Sequence, residues 1–177
     1  MTDTYGDYET IGNRPALRFE RRLLHPVDVV WRAITESGQL EGWFPCLVEV
    51  DDLCEGAEMT FTFEHMPLDA PSTMTGRVTA FDPPRRLAFT WGEDHLDFEL
   101  EPLPAEDACV LRLTVLLDSR EKASRDGAGW HVCLDRLERL LRGEGGPAVT
   151  GASEGWRELY DEYQRRGVPA GAAIPEH

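Results

Sequence analysis

Histidine and carboxylate side chains at alternate positions are the residues with the clearest potential for acid–base chemistry. His95, Asp97 and Glu99 occur at every second position, so in a strand they share one face. The opposite face carries only apolar side chains, Leu96, Phe98 and Leu100. Because a strand of this pattern buries its apolar face, we expect the histidine face to lie in solvent. A register shift at the preceding turn, residues 92–94, would exchange the two faces.

His65 is the ionisable side chain that the alternation places on an inward face. It continues the series Met59, Phe61 and Phe63 at intervals of two residues. A general base needs a partner that sets its pKa and a substrate atom within hydrogen-bond reach, and no second carboxylate falls on this face. We therefore expect His65 to orient a ligand or to meet water at the end of its strand. A catalytic base is the alternative.

The four cysteines indicate neither a metal site nor a disulfide framework. Cys46, Cys54, Cys109 and Cys133 form no C-x-x-C pair and have no histidine at zinc spacing. We expect ordinary thiols, mostly buried. Phosphate-binding loops, dinucleotide-binding glycine turns and serine-nucleophile signatures are also absent. The sequence predicts no catalytic residue, no metal and no cofactor.

The charge balance restricts the class of partner. The 177 residues include 33 acidic and 18 basic side chains, for a net charge of −15. Acidity of this degree repels nucleic acid and anionic lipid surfaces. Apolar runs stay well short of the roughly 20 residues of a membrane-spanning helix, and the first residues lack a signal-peptide pattern. We expect a cytoplasmic protein that neither binds nucleic acid nor inserts into a membrane.

Seven runs of residues alternate between apolar and polar as strands do. They span residues 16–24, 46–51, 57–64, 73–81, 86–91, 95–101 and 109–117. Turn-forming residues separate the last six of them, as at Glu55-Gly56 and Asp82-Pro83-Pro84. Connections this short favour antiparallel neighbours, so the pattern predicts one antiparallel sheet.

Helical periodicity appears in four places. Residues 26–35 and 37–44 predict two short helices, residues 129–142 a long one and residues 153–166 a last one. Apolar residues of the long helix form one stripe, Trp130, Leu134, Leu137 and Leu141, and His131 lies on its flank as a boundary residue. Gly127 and Gly129 indicate that this helix begins near them or that a neighbour passes too close for a Cβ.

The last helix presents a broad aromatic face. That face consists of Trp156, Leu159, Tyr160 and Tyr163. An apolar face of this width is not expected to stay in water. We expect it to dock on the rest of the chain, and a homodimer through the same residues is the alternative.

This order of elements resembles the START-like superfamily, also called SRPBCC or helix-grip. The similarity is carried by Pro26-Val-Asp-Val-Val-Trp31, by Leu40-Glu-Gly-Trp43-Phe and by Gly129-Trp130 followed by Leu134. It covers roughly residues 16–142, and within the superfamily it is greatest to homologues of the heat-shock-protein-90 ATPase activator C-terminal domain.

The resemblance implies an α+β fold. A seven-stranded curved antiparallel sheet grips the long C-terminal helix, with two short helices between strands 1 and 2 and an extra C-terminal helix. Residues 1–15 are then expected to be a flexible tail and residues 16–142 the helix-grip domain. Residues 143–177 are expected to supply a linker, the amphipathic helix and a tail.

Members of the superfamily bind hydrophobic small molecules between the sheet and the long helix, and some are cyclases or hydrolases. The inward faces of this sequence are almost entirely apolar, which favours non-enzymatic binding of a lipid- or polyketide-like molecule. The expected pocket residues are Trp43, Phe61, Phe63, His65, Met74, Trp91, Trp130 and Leu134. The alternatives are a stress-response, co-chaperone-like module that binds another protein, and an enzyme of cyclase or hydrolase type with His65 as its base.

Overall fold

The computed structural model describes residues 3–64, 72–144 and 154–174. The strands are β1 (Asp7–Ile11), β2 (Arg14–Leu23), β3 (Leu47–Glu49), β4 (Glu58–Thr62), β5 (Thr73–Asp82), β6 (Arg86–Trp91), β7 (Asp94–Leu103) and β8 (Ala108–Leu116). The α-helices are α1 (Val27–Thr35), α2 (Ser37–Leu40), α3 (Ala123–Leu141) and α4 (Glu154–Arg165). Among these described residues, no helix combines the length and apolar composition that a membrane crossing requires.

All strands form one antiparallel sheet in the order β1-β2-β8-β7-β6-β5-β4-β3. The pairing aligns apolar residues of neighbouring strands on the inner face, as for Phe19 opposite Leu113 and Leu87 opposite Phe98. At Gly76 a Cβ would lie 2.2 Å from the carbonyl oxygen of Thr90, so β5 approaches β6 there as only glycine allows. The predicted α+β fold with a long helix against a curved sheet is confirmed.

The two short helices close one side of this sheet. Pro26 precedes α1 and Asp28 lies in its first turn, where a negative charge complements the helix dipole. The indole nitrogen of Trp43 donates a hydrogen bond of 2.9 Å to the carbonyl oxygen of Ala33. This bond fixes the segment after α2 against α1 and directs its aromatic residues toward the sheet.

Helix α3 is longer than predicted, because it begins at Ala123 and includes both glycines. A Cβ on Gly127 would lie 3.3 Å from the ring of Tyr163 in α4. Of the two explanations offered for the glycines, the close neighbour therefore applies at Gly127. Leu137 is fully buried, as expected for a residue in the middle of the apolar stripe.

The structure differs from the sequence prediction at residues 7–11, where a flexible tail was expected. These residues form β1 at the edge of the sheet, which has eight strands instead of seven in the part of the chain that the structure describes. Their burial pattern explains the error, since β1 has no fully buried residue and so carries little apolar signal. Gly6, just before β1, also packs closely on β2, because a Cβ at this position would lie 2.6 Å from the ring of Phe19.

Helix α4 packs against α3, beside Gly127 and Gly129. Trp156 and Tyr163 are buried within the chain, and Leu159 and Tyr160 are half-buried. The rings of Trp156 and Tyr160 stack with centroids 5.2 Å apart. Docking on the same chain therefore accounts for most of the aromatic face, and the alternative of a homodimer through these residues stays a prediction.

Candidate functional site

Aromatic rings from three parts of the chain meet between the sheet and α3. We call this group the aromatic cluster; it consists of Trp43, Phe44, Phe61, Phe63, Phe89, Trp91, Phe98 and Trp130. Phe44 is its centre, with ring centroids 5.5 Å from Trp43, 5.3 Å from Trp91 and 5.6 Å from Trp130. The three tryptophans expected to share one enclosure are thus brought together.

The sheet supplies the opposite wall of the cluster. Phe61 on β4 lies 4.8 Å from Trp91 on β6, in an edge-to-face arrangement, and 5.8 Å from Phe89. Trp91 in turn lies 5.8 Å from Trp130 on α3. At these separations the rings are in contact, so they fill the space that they enclose.

One end of the aromatic cluster reaches the surface. Trp43, Phe61, Trp130 and Leu134 are buried, whereas Phe63, Met74 and Trp91 are only half-buried. We call the latter three residues the open end. The sulfur of Met74 lies against Gly92, next to Trp91, so these side chains lie where β4 and β6 end and β5 begins. His65 lies outside the described residues.

The side chains of the aromatic cluster are apolar. Its one buried indole hydrogen bond, from Trp43, is satisfied by the backbone of α1. The thiols of Cys46 and Cys133 belong to the same core, and burial raises the pKa of each to about 12, so both stay neutral. Within the described ranges no group of histidine, cysteine or acidic side chains could hold a metal ion. The described side chains of the cluster offer a ligand contact area and no acid–base group.

The outer face of the sheet is polar, as the alternation predicted. His95 Nε2 lies 2.8 Å from Thr79 Oγ1, and burial lowers the pKa of this histidine. Asp97 accepts hydrogen bonds of 3.1 and 2.7 Å from Arg86. These side chains face away from the aromatic cluster, so they form no catalytic site with it.

A groove of about 300 Å³ lies on this outer side, beside the N-terminal segment. Its two arginines are already neutralised, Arg18 by Glu9 at 3.1 Å and Arg112 by Glu101 at 2.7 Å. The remaining lining is largely acidic and open to solvent. It suits a hydrophobic ligand far less than the open end does, and we do not assign it a ligand.

Sequence reasoning missed a buried polar group on the other side of α3. Arg21 is 3% exposed, and its guanidinium contacts Asp135 at 3.2 Å and Glu138 at 2.9 Å. Alternation within β2 places Arg21 on the inward face with Phe19, which was the available signal. His131, expected at the boundary of α3, is 4% exposed, with its Nδ1 3.0 Å from the hydroxyl of Tyr163.

Solved structures with the same fold were found by comparison. A conserved protein of unknown function from Enterococcus faecalis, EF2215, superposes with a TM-score of 0.73 at 20% identity, over 91% of this chain and 89% of its own. CalU16 from Micromonospora echinospora gives a TM-score of 0.67 at 22% identity, over 90% and 94%. DynU16 gives a TM-score of 0.63 at 22% identity, over 73% and 48%.

Two comparisons at the level of sequence complement the structural one. No curated protein matches this chain. Residues 24–142 match the family model described as "Activator of Hsp90 ATPase homolog 1-like protein". This segment runs from the end of β2 through α3 and so contains the whole aromatic cluster. The chain therefore belongs to the family of activator of Hsp90 ATPase homolog 1-like proteins, within the START-like superfamily.

Proposed function

We propose that the protein binds an uncharged, hydrophobic small molecule, planar or lipid-like, at the open end of the aromatic cluster. The observation that carries the proposal is the continuity of the cluster from the buried Phe44 to the half-buried Trp91 and Phe63. Aromatic walls give a ligand large contact area at a small entropic cost. DynU16, which shares the fold, is described as a putative protein in the dynemicin biosynthetic locus, which supports a polyketide-like ligand.

Entry of the ligand requires side chains to move, because the rings are in contact with one another. Met74 is the flexible member of the open end, since its unbranched side chain adopts several rotamers at low cost. Trp91 is half-buried and lies at the last position of β6. A ligand that displaces these two side chains gains contact with the ring of Phe61 behind them. His65, two residues beyond Phe63, supplies a polar group for the ligand in this proposal.

Titration of the protein with a panel of planar and lipid-like molecules, followed by tryptophan fluorescence, tests the proposal. We expect saturable quenching with a micromolar dissociation constant, about −8 kcal/mol of binding free energy. For variants, calorimetry replaces fluorescence because the reporter itself changes. Trp91→Ala should weaken binding by more than about 1 kcal/mol, a factor of at least about five, because it removes part of the wall.

Trp31→Ala is the matched control. Trp31 is also half-buried but contacts Phe81, with centroids 5.8 Å apart, away from the aromatic cluster. Its removal should leave the affinity unchanged. Absence of quenching across the panel, or equal weakening by both variants, would contradict the proposal. Native mass spectrometry of the freshly purified protein would identify a ligand that is retained from the cell.

The two alternatives have less support. A protein-docking module would be favoured by an apolar patch on the outer face of the sheet, but the described part of that face carries ion pairs such as Arg86 with Asp97 and Arg112 with Glu101. A cyclase or hydrolase would need an acid–base group in the cluster, and its described members are apolar. Four unpaired cysteines support the cytoplasmic location that we propose with this function.

A further inference from the structure

A buried hydrogen-bond chain joins three separate parts of the protein beside α3. The hydroxyl oxygen of Tyr163 accepts the backbone N–H of Gly6 at 2.8 Å and lies 3.0 Å from Nδ1 of His131. Because this hydroxyl is buried and Nδ1 is the only acceptor near it among the described residues, we assign the hydroxyl proton to the bond with Nδ1. His131 is then neutral, with its own proton on Nε2, 3.5 Å from Asp135.

Charged and titratable groups surround His131 from every element that packs on it. They are Asp135 on α3, Arg21 on β2, Asp3 and Tyr5 in the N-terminal segment, and Tyr163 and Arg166 on or just after α4. Burial is the largest influence and lowers the pKa of His131. Asp135 opposes that shift, and the guanidinium of Arg21 adds to it.

The same chain of contacts holds α4 and the N-terminal segment in place. Arg166 pairs with Asp3 at 2.8 Å, and its guanidinium lies 3.8 Å above the ring of Tyr5. Beyond α4, the carbonyl oxygen of Val168 accepts a hydrogen bond of 2.9 Å from the hydroxyl of Ser124. Buried apolar contacts of Trp156 and Tyr163 with α3 also hold α4, so the hydrogen-bond chain is one of several contacts that fix these segments.

We propose that Gly6, His131 and Tyr163 form a proton-sensitive latch, in which protonation of His131 releases α4 and residues 3–6 from α3 while the sheet stays folded. A proton on Nδ1 points at the hydroxyl oxygen of Tyr163 and displaces the hydroxyl proton from its only described acceptor. The new cation also lies near the buried guanidinium of Arg21. Both effects disfavour the docked arrangement, whereas a released imidazolium is solvated by water. The latch goes beyond the proposed ligand binding and does not depend on it.

The direction of the pH dependence follows from the lowered pKa. A released His131 titrates near its ordinary value of about 6.5, whereas the docked one binds its proton only at lower pH. Between the two values the released form holds more protons, so docking weakens as the pH falls. The latch is complete above about pH 6.5 and is lost as the pH falls through the lower, docked value.

Nuclear magnetic resonance of the ¹⁵N-labelled full chain between pH 7.5 and 5.0 tests the latch. The amides of Gly6, of Gly127 and of α4 should shift together with one midpoint below about 6.5, while the amides of β6 to β8 keep their folded positions. His131→Gln keeps an oxygen that accepts from Tyr163 but takes up no proton. In this variant the shared transition should disappear.

His95→Gln is the matched control, because burial also lowers the pKa of His95 but this side chain lies on the outer face with Thr79. The shared transition should persist in it. The latch would be overturned if the shared transition persisted in His131→Gln or disappeared in His95→Gln. It would also be overturned if the parent showed no transition, or if the sheet unfolded at the same midpoint.

Tyr163→Phe provides a second measurement should His131→Gln fail to fold. It removes the hydroxyl and keeps the ring against Gly127. We expect the Gly6 amide to exchange with solvent already at pH 7.5, at least tenfold faster than in the parent. An unchanged Gly6 amide in this variant would overturn the latch as well.

Discussion

Replacement of Phe44 by alanine is the most direct test of whether the rings fill the space between the sheet and α3. The side chain is 3% exposed and contacts rings on both sides of that space. Loss of buried apolar area alone costs about 1.5–3 kcal/mol for a residue of this size. The surrounding rings belong to different elements and collapse only partly, so the void adds to the cost. We expect Phe44→Ala to lower the free energy of unfolding by about 3–5 kcal/mol.

Urea unfolding followed by far-ultraviolet circular dichroism measures this loss. Phe81→Ala is the control, since it is the same chemical change at a half-buried site whose described ring partner is Trp31. We expect that variant to lose about 1–2 kcal/mol, because only part of its ring leaves an apolar environment. A loss below about 1.5 kcal/mol for Phe44→Ala, no larger than the loss for the control, would refute the close packing of the cluster and indicate a hydrated cavity.

Further predictions concern the glycines, the thiols and the core. Gly129→Ala should stabilise the protein by about 0.5–1 kcal/mol and raise the melting temperature by about 1–4 °C, because α3 has room for a Cβ there, with the indole nitrogen of Trp156 3.9 Å away. Gly76→Ala should instead cost more than about 2 kcal/mol in the same thermal melts, because its Cβ would collide with the carbonyl oxygen of Thr90. A thiol reagent at pH 7.5 should modify Cys54 alone in the folded protein and all four cysteines in urea, since burial raises the pKa of the other three thiols to about 11 or 12. Leu137→Asp should leave the protein insoluble or without the near-ultraviolet signal of packed tryptophans, because it buries a charge at the centre of the core.

Strand positions were predicted well where two signals coincided. The run 86–91 matches β6 residue for residue, because alternation of apolar side chains is bounded there by proline on one side and glycine on the other. Convergence of Trp43, Trp91 and Trp130 was implied by the resemblance to the helix-grip fold, in which the long helix lies across the inner face of the sheet. A sequence pattern does not show how the rings pack, and Phe44, the centre of the cluster, was not among the predicted pocket residues.

The errors share a physical origin, since they concern residues whose partners are distant in the sequence. Residues 7–11 have a weak strand pattern and are ordered by pairing with β2. The start of α3 was placed too late because glycine is a poor helix former, and its cost is offset by contact with Tyr163. Arg21 is buried because α3 presents two carboxylates to it. The local sequence pattern does not show such stabilising contacts between residues that are distant in the chain.

The position of β2 in the sheet has a consequence for folding during synthesis on the ribosome. Apart from β1, the only strand that pairs with β2 in the described sheet is β8, the last strand to be made, as in the pairing of Phe19 with Leu113. At about 5–20 residues per second, the hairpin of β1 and β2 waits on the order of ten seconds for that partner. A lone hairpin is marginally stable in water, so Leu17 and Phe19 stay exposed through most of synthesis. The sheet therefore closes late, in a single step that joins the two ends of the domain, and its rate is limited by that long loop.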